Sequence, residues 1–187
     1  MEQWNRQIKT AQFMLLGTVI ATVVNAAFLL GNMDMFISYC AALAYYPLWL
    51  GKLFDNGYAM GIVNGEFAAT GMVMTGVVLA VYLVIWWLAR GNRRWLKVGL
   101  WLIVADLVFL IGLSLVLFAN PLSCFWEAVV HGIVIWEIGQ GLRAYKKRGD
   151  ALAKAAAEAA AAAQAAAEEE TVTEETAEET PQEDPVL

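Results

Sequence analysis

The residues with the greatest capacity for chemistry lie in an otherwise apolar stretch, CFWEAVVHGIVIWEIG at 124–139. It contains Glu127, Glu137 and His131, which is the only histidine in the chain. Glu127 and His131 are four residues apart, so on a helix their side chains would be neighbours on one face. Small residues recur on the same face and would let another helix approach closely. A carboxylate beside an imidazole there could form a buried hydrogen bond, relay a proton or act as an acid–base pair.

Two further polar residues interrupt neighbouring apolar runs. Asn25 falls on a polar face of the first run, at a depth similar to that of Glu127. We therefore predict one polar layer formed by Asn25, Glu127 and His131. Asp106 interrupts a later run nearer its other boundary, at a level comparable to that of Glu137. We predict a second layer of Asp106 and Glu137, with one carboxyl protonated or shared with a neighbour because two like charges at one depth repel.

The sequence offers little for metal binding or for known catalytic chemistry. It has two cysteines, Cys40 and Cys124, and no CxxC pair or Cys/His cluster. A zinc site needs three or four protein ligands, so we predict no metal and no cofactor. An oxidising exterior would allow a disulfide between Cys40 and Cys124, although two thiols are favoured because nothing in the sequence brings them together. No nucleophile elbow, P-loop or HExxH motif occurs, so we lean against an enzyme.

The composition predicts that these polar groups are held by membrane helices. The chain is 60% hydrophobic with a mean hydropathy of +0.56, whereas soluble domains are about 45–50% apolar. A helix that crosses a bilayer needs about 20 mainly apolar residues. The first run is also longer than the apolar core of a signal peptide, so it is expected to be retained. We predict an all-α integral membrane protein with residues 1–148 forming a bundle of four transmembrane helices, at 10–31, 67–89, 98–119 and 121–142.

A fifth apolar stretch, residues 35–54, is predicted to lie at the outer face without spanning. Lys and Arg cluster at 90–97 and 143–149, and others precede the first span. Because cytoplasmic loops carry the excess of positive charge, four spans place these clusters and both termini in the cytoplasm. With a fifth span, the two clusters could not both stay in the cytoplasm with the N-terminus. The 35–54 segment is therefore expected to be interfacial or re-entrant, and Pro47 would interrupt a spanning helix there.

The C-terminal residues 149–187 form an acidic, low-complexity tail rich in alanine and glutamate. Residues 1–149 hold 11 Lys and Arg against 7 Asp and Glu, whereas residues 150–187 hold one Lys against 11 acids. Alanine favours a helix, which we expect to continue through about residue 170. Residues 171–187 are expected to be disordered. The tail could dock a cytoplasmic partner, although a solubilising extension is favoured, and no basic stripe indicates nucleic-acid binding.

The sequence leaves three functions open for this multi-pass membrane protein. A non-enzymatic accessory, regulatory or assembly component is favoured, with the lipid bilayer and a second copy or another membrane protein as partners. The alternative is a small transporter or proton-coupled carrier component that uses Asp106, Glu127 and His131. The third is an intramembrane enzyme with Glu127 and His131 as an acid–base pair. The layout is similar to that of many small four-span bacterial membrane proteins, which implies a bacterial plasma membrane but no specific activity.

Overall fold

The computed structural model describes residues 1–33, 35–55, 66–118 and 124–178. Five α-helices account for most of this part of the chain, and it contains no strand, so the all-α prediction is confirmed there. The predicted turn between the third and fourth spans, and the end of the tail, lie outside the described residues. The helices are α1 (Glu2–Leu30), α2 (Ala42–Leu53), α3 (Glu66–Ala89), α4 (Arg93–Phe118) and α5 (Phe125–Glu178).

Three helices, α1, α3 and α4, are long and apolar enough to cross a membrane. Less than a third of the most apolar stretch of each is buried inside the protein. Large apolar side chains thus remain on the outside, among them Phe13, Val73 and Val116. Such extensive apolar exposure is typical of helices whose remaining surface is covered by lipid. The structure therefore supports a membrane-embedded protein with three candidate spans.

Two of the helices begin well before the apolar runs from which they were predicted. α1 starts eight residues before the predicted span, and α4 starts five residues before its own. Backbone hydrogen bonding continues through polar residues because a helix that is already nucleated adds one bond for each residue it gains. The start of α5 contains Glu127, His131 and Glu137, which lower its hydropathy, and it is not among the three candidate spans.

The short helix α2 packs closely against α3 through two glycines. A Cβ atom placed on Gly71 of α3 would lie 2.5 Å from the carbonyl oxygen of Pro47. A Cβ placed on Gly51 of α2 would lie 2.8 Å from the carbonyl carbon of Phe67. Each glycine therefore faces the other helix's backbone, at a separation that no larger residue permits. With 12 residues, α2 is about 18 Å long, which is too short to cross a bilayer core of about 30 Å.

The compact unit Met1–Tyr145 encloses a single main core. The first part of α5 contributes to it, since the Cβ of Ala11 on α1 closely approaches Gly141 on α5. A side chain in place of Gly141 would therefore push these two helices apart. The core residues are Ala11, Leu15, Val19, Ala41, Ala44, Tyr82, Ala89, Leu96, Ile103, Val134 and Ile138.

The second compact unit begins at Lys146 and contains the remainder of α5. The helix runs to Glu178, eight residues beyond the end predicted from the alanine-rich stretch. The helix thus extends over residues 171–178, for which disorder was expected. Residues 150–180 contain no glycine or proline, so nothing in this stretch stops the helix.

Candidate functional site

A carboxylate from α4 caps the start of α2. Asp106 Oδ2 accepts a hydrogen bond from the backbone N–H of Ala42 at 2.9 Å, and Oδ1 accepts one from Leu43 at 2.7 Å. These donors belong to the first turn of α2, and Ala41, at the N-cap position, has no side chain that could bind them. Asp106 is fully buried near the middle of α4. Its carboxyl group therefore lies at the positive end of the α2 dipole, where negative charge is stabilised.

His131 on α5 is the second partner of this carboxylate. Its Nε2 lies 2.8 Å from Asp106 Oδ2, and its Nδ1 lies 2.7 Å from the backbone oxygen of Glu127. A carbonyl oxygen only accepts hydrogen bonds, so Nδ1 must carry a hydrogen. One further proton then lies between Nε2 and Oδ2. If this proton is on Nε2, the two side chains form an imidazolium–carboxylate pair. If it is on Oδ2, they form a neutral pair. In both cases the hydrogen bonds of Asp106 and His131 are satisfied.

The segment before α2 is fixed to the polar face of α1. The Asn25 side-chain amide makes two hydrogen bonds with the backbone of Ile37, one through its nitrogen and one through its oxygen, each 2.8 Å long. The Thr22 hydroxyl accepts the N–H of Ala41 at 2.7 Å. Both α1 side chains are at most 1% exposed. The Thr22 hydroxyl thus satisfies a buried N–H, which would cost about 1–3 kcal/mol if it had no partner.

The predicted layer of Asn25, Glu127 and His131 takes a different form from that expected. The three side chains do not bind one another, and each instead holds the same connecting region. Asn25 binds the segment before α2, His131 holds its start through Asp106, and Glu127 accepts a 3.3 Å hydrogen bond from the Tyr46 hydroxyl within α2. Three helices therefore converge on residues 37–46. We name residues 37–46, with Asn25, Asp106, Glu127 and His131, the α2 clasp.

The expected pairing of Asp106 with Glu137 is not observed. Asp106 pairs with His131. Glu137 lies six residues beyond His131 on α5, which is about 9 Å further along the helix axis. The sequence prediction estimated the depth of each residue by counting from the predicted ends of its span. The structure begins α4 at a different residue, so the estimated depths were not comparable. Glu137 is half-buried and stands apart from the clasp.

The two cysteines are buried and carry thiols rather than a disulfide. Cys40 lies in the segment before α2 and Cys124 immediately precedes α5. Cys124 packs in a smaller core cluster with Ala42 and Leu110.

Two tyrosines near the clasp were not anticipated. The Tyr39 ring packs edge-on against the imidazole of His131, with centroids 6.3 Å apart, and its hydroxyl donates to the backbone oxygen of Met14 at 3.0 Å. Tyr82 on α3 is 1% exposed, and its hydroxyl finds no hydrogen-bond partner in the described part of the chain. Asp106 lies near this phenol. A lone tyrosine within the apolar run of α3 was the signal available in the sequence.

The arrangement can hold a proton but offers no open reaction chamber. Asp106 and His131 are at most 1% exposed, and neither of them lines the surface cavities at the start of α4, between α2 and α3, or at the start of α1. Within those residues, no group of three His, Cys, Asp or Glu side chains could hold a metal ion. The chemistry of the clasp is thus a closed hydrogen-bond network centred on one carboxylate.

Comparisons of this chain with protein-family models, with curated proteins and with solved structures found no match.

Proposed function

We propose that this chain is a four-span membrane protein with a non-enzymatic role as an accessory, regulatory or assembly component. The observation that carries the proposal is the closed α2 clasp. Asp106, Glu127 and His131 are used to hold one chain segment, and Asp106 and His131 are buried from solvent. Polar groups at membrane depth are costly, by about 2.5–3.5 kcal/mol for a central Asp on insertion scales, and persist where they are paired. Here their hydrogen bonds serve the architecture.

The fourth span would be the first part of α5. Its hydropathy is lowered by Glu127, His131 and Glu137, but His131 is buried and bonded inside the protein. Gly141 approaches α1 closely, which supports α5 running beside the apolar helices. A buried and hydrogen-bonded polar side chain does not face lipid, so burial of the polar face lowers the free-energy cost of placing this span in the membrane.

The α2 clasp supports a re-entrant rather than an interfacial segment. Ile37 is held by Asn25, five residues before the end of α1, and Ala41 is held by Thr22, eight residues before it. The chain therefore runs back along α1 towards its middle. At the other end of α2, the ammonium group of Lys52 donates to Asn32 at 2.6 Å, just beyond α1. The segment thus descends, turns at Ala41 and returns as α2.

The distribution of charge supports termini on the cytoplasmic side of a plasma membrane. A bacterial membrane is proposed only because the layout is similar to that of small bacterial membrane proteins. The cations at 90–97 and 143–149, together with Arg6 and Lys9, would share one side, and Lys52 would lie on the other. The acidic tail would then be available to a cytoplasmic partner. The exposed apolar faces would contact lipid, a second copy or another membrane protein.

A proton-flux measurement tests the proposal directly. Purified full-length protein is reconstituted into liposomes that enclose a pH-sensitive dye, and an imposed pH gradient is followed. We expect decay no faster than in empty liposomes. Gradient decay that is accelerated by the protein and slowed by Asp106→Asn would refute the non-transporting role.

A proton-coupled carrier component is the second candidate, and the Tyr82 hydroxyl favours it. This buried hydroxyl finds no hydrogen-bond partner in the described residues, and Asp106 lies near it. In a rearranged state it could form a hydrogen bond with the Asp106–His131 pair and so become part of a proton path. In that case Tyr82→Phe would reduce flux in the same assay while leaving the protein folded.

A further inference from the structure

A surface cavity of about 380 Å³ lies at the beginning of α4 and has two chemically distinct ends. One end consists of Arg93, Arg94 and Lys97. The other consists of Leu100 and Trp101 on the same helix, together with Leu142 on α5. Cavities of roughly 300–1,000 Å³ are the size that usually holds small ligands. The volume is thus sufficient for a polar headgroup and the first part of an apolar chain.

The two ends follow from the spacing along one helix face. Arg93 and Lys97 are four residues apart, and Leu100 and Trp101 continue the same face one turn further. The cavity therefore changes from cationic to apolar over eight residues, or about 12 Å along the axis. A ligand that fits it must carry an anionic group joined to an apolar chain.

The positive charge of the cavity is not neutralised within the described part of the chain. No carboxylate there forms an ion pair with Arg93, Arg94 or Lys97. The nearby Arg90 differs, because its guanidinium lies over the Trp86 ring at 4.1 Å. The three cavity cations are exposed and remain available to an external anion.

A second basic cavity, of about 370 Å³, provides a contrast within the same protein. It is lined by Arg6 and Lys9 on α1, but also by the carboxylate of Glu2 and by polar side chains. It has no apolar end, and Glu2 reduces its positive charge. Of these two cavities, the one on α4 combines three cations with an apolar wall.

We propose that the α4 cavity binds the phosphate headgroup of an anionic phospholipid, with the start of an acyl chain against Leu100, Trp101 and Leu142. The site rests on the proposed function in one respect, that α4 crosses the membrane with its first turn at the interface. Basic pockets between transmembrane helices at the cytoplasmic side are suited to anionic lipid headgroups. Bound lipid would tie α4 to α5 through Leu142.

Native mass spectrometry of the full-length protein in detergent tests this site. The probes are short-chain phosphatidylglycerol, phosphatidylcholine and glycerol 3-phosphate. We expect phosphatidylglycerol to bind at least tenfold more tightly than either of the others. Each cation near the surface contributes about fivefold to binding of an anionic lipid, so the double variant Arg93→Gln/Lys97→Gln is expected to weaken it by about 25-fold.

The matched control is the double variant Arg6→Gln/Lys9→Gln, which removes the same charge from the second basic cavity. It is expected to change phosphatidylglycerol affinity by less than twofold. Equal loss in both variants, or equal binding of phosphatidylcholine, would overturn the proposed site. Equal binding of glycerol 3-phosphate would also overturn it, since the site would then be one for soluble phosphates. These measurements in detergent do not depend on sidedness or proton flux, so their failure is distinguishable from failure of the proposed function.

Discussion

The strongest test of the α2 clasp is removal of the Asp106 carboxylate. This carboxylate accepts two backbone N–H groups of α2 and contacts His131 Nε2, all at 2.7–2.9 Å. It is fully buried, so water cannot replace these bonds. In Asp106→Ala all three partners would be left without an acceptor. The variant therefore tests the capping of α2 and the pairing with α5 together.

The expected loss of stability follows from these contacts. Loss of an N-cap typically costs about 1 kcal/mol. Removing one member of a buried, hydrogen-bonded ion pair costs about 3–5 kcal/mol, because the other member remains buried. We expect Asp106→Ala to lower the free energy of unfolding by about 3–5 kcal/mol. Asp106→Asn retains the shape and one acceptor, so about 2 kcal/mol is expected, as for one hydrogen bond to a charged group.

The control is Thr75→Val on α3. The Thr75 hydroxyl is also buried and donates to α2, to the backbone oxygen of Ala44, but the bond is between neutral groups. Valine has nearly the same shape, so the expected cost is about 1 kcal/mol. Both variants thus perturb the attachment of α2, and only one removes a carboxylate.

The assay is reversible unfolding of the full-length protein in mixed micelles with increasing dodecyl sulfate, followed by the fluorescence of its eight tryptophans. A double-mutant cycle of Asp106→Asn with His131→Gln isolates their coupling. Hydrogen bonds between membrane helices average about 0.6 kcal/mol in such cycles, and we expect a larger value here because the pair shares a proton. An Asp106→Ala cost no greater than that of Thr75→Val, with additive effects of Asp106 and His131, would refute the clasp.

Three further predictions concern other parts of the fold. Gly71→Ala should destabilise the protein by about 1–3 kcal/mol because its Cβ would collide with α2. The control is Gly76→Ala on the same helix, whose Cβ would meet no atom within 4 Å, so it should be neutral or stabilising by up to about 1 kcal/mol. Thermal unfolding compares the two variants, and equal effects would contradict the close α2–α3 contact. Asn25→Ala should increase hydrogen exchange at the Ile37 amide by at least about tenfold, as expected for a loss of about 1.4 kcal/mol, and unchanged exchange would contradict its attachment to α1. Gly91→Cys, in a chain with Cys40→Ala and Cys124→Ala, should react with a membrane-impermeant maleimide only from the cytoplasmic side; labelling from outside intact cells would refute the four-span topology.

Local sequence patterns were sufficient to predict the helices. Hydropathy identified α1, α3 and α4 as membrane helices, because an apolar run of that length has few other stable environments. The polar face of α1 was also recognisable, since the helical period places Asn25 on it. Pro47 and the positive charges predicted that 35–54 does not span; the helix there, α2, has 12 residues, and Pro47 lies within it without ending it.

The partners of the buried polar groups required the tertiary structure. Sequence reasoning identified Asp106, Glu127 and His131 as important but paired Asp106 with Glu137. A pairing between two helices depends on the rotation and axial register of each, and a shift of six residues moves a side chain by about 9 Å. Apolar periodicity specifies which face is buried, but it does not specify which buried residues are level with each other.

The sequence by itself determined that the chain forms long apolar helices carrying a few ionisable residues, since hydropathy and helical period are local properties. The tertiary structure decided that those residues hold a short helix, with Asp106 at its start. The N–H groups of α2 are present in any helix and leave no mark in the sequence. Their capping residue is 64 positions from Ala42 along the chain, so only the folded chain could bring the two together.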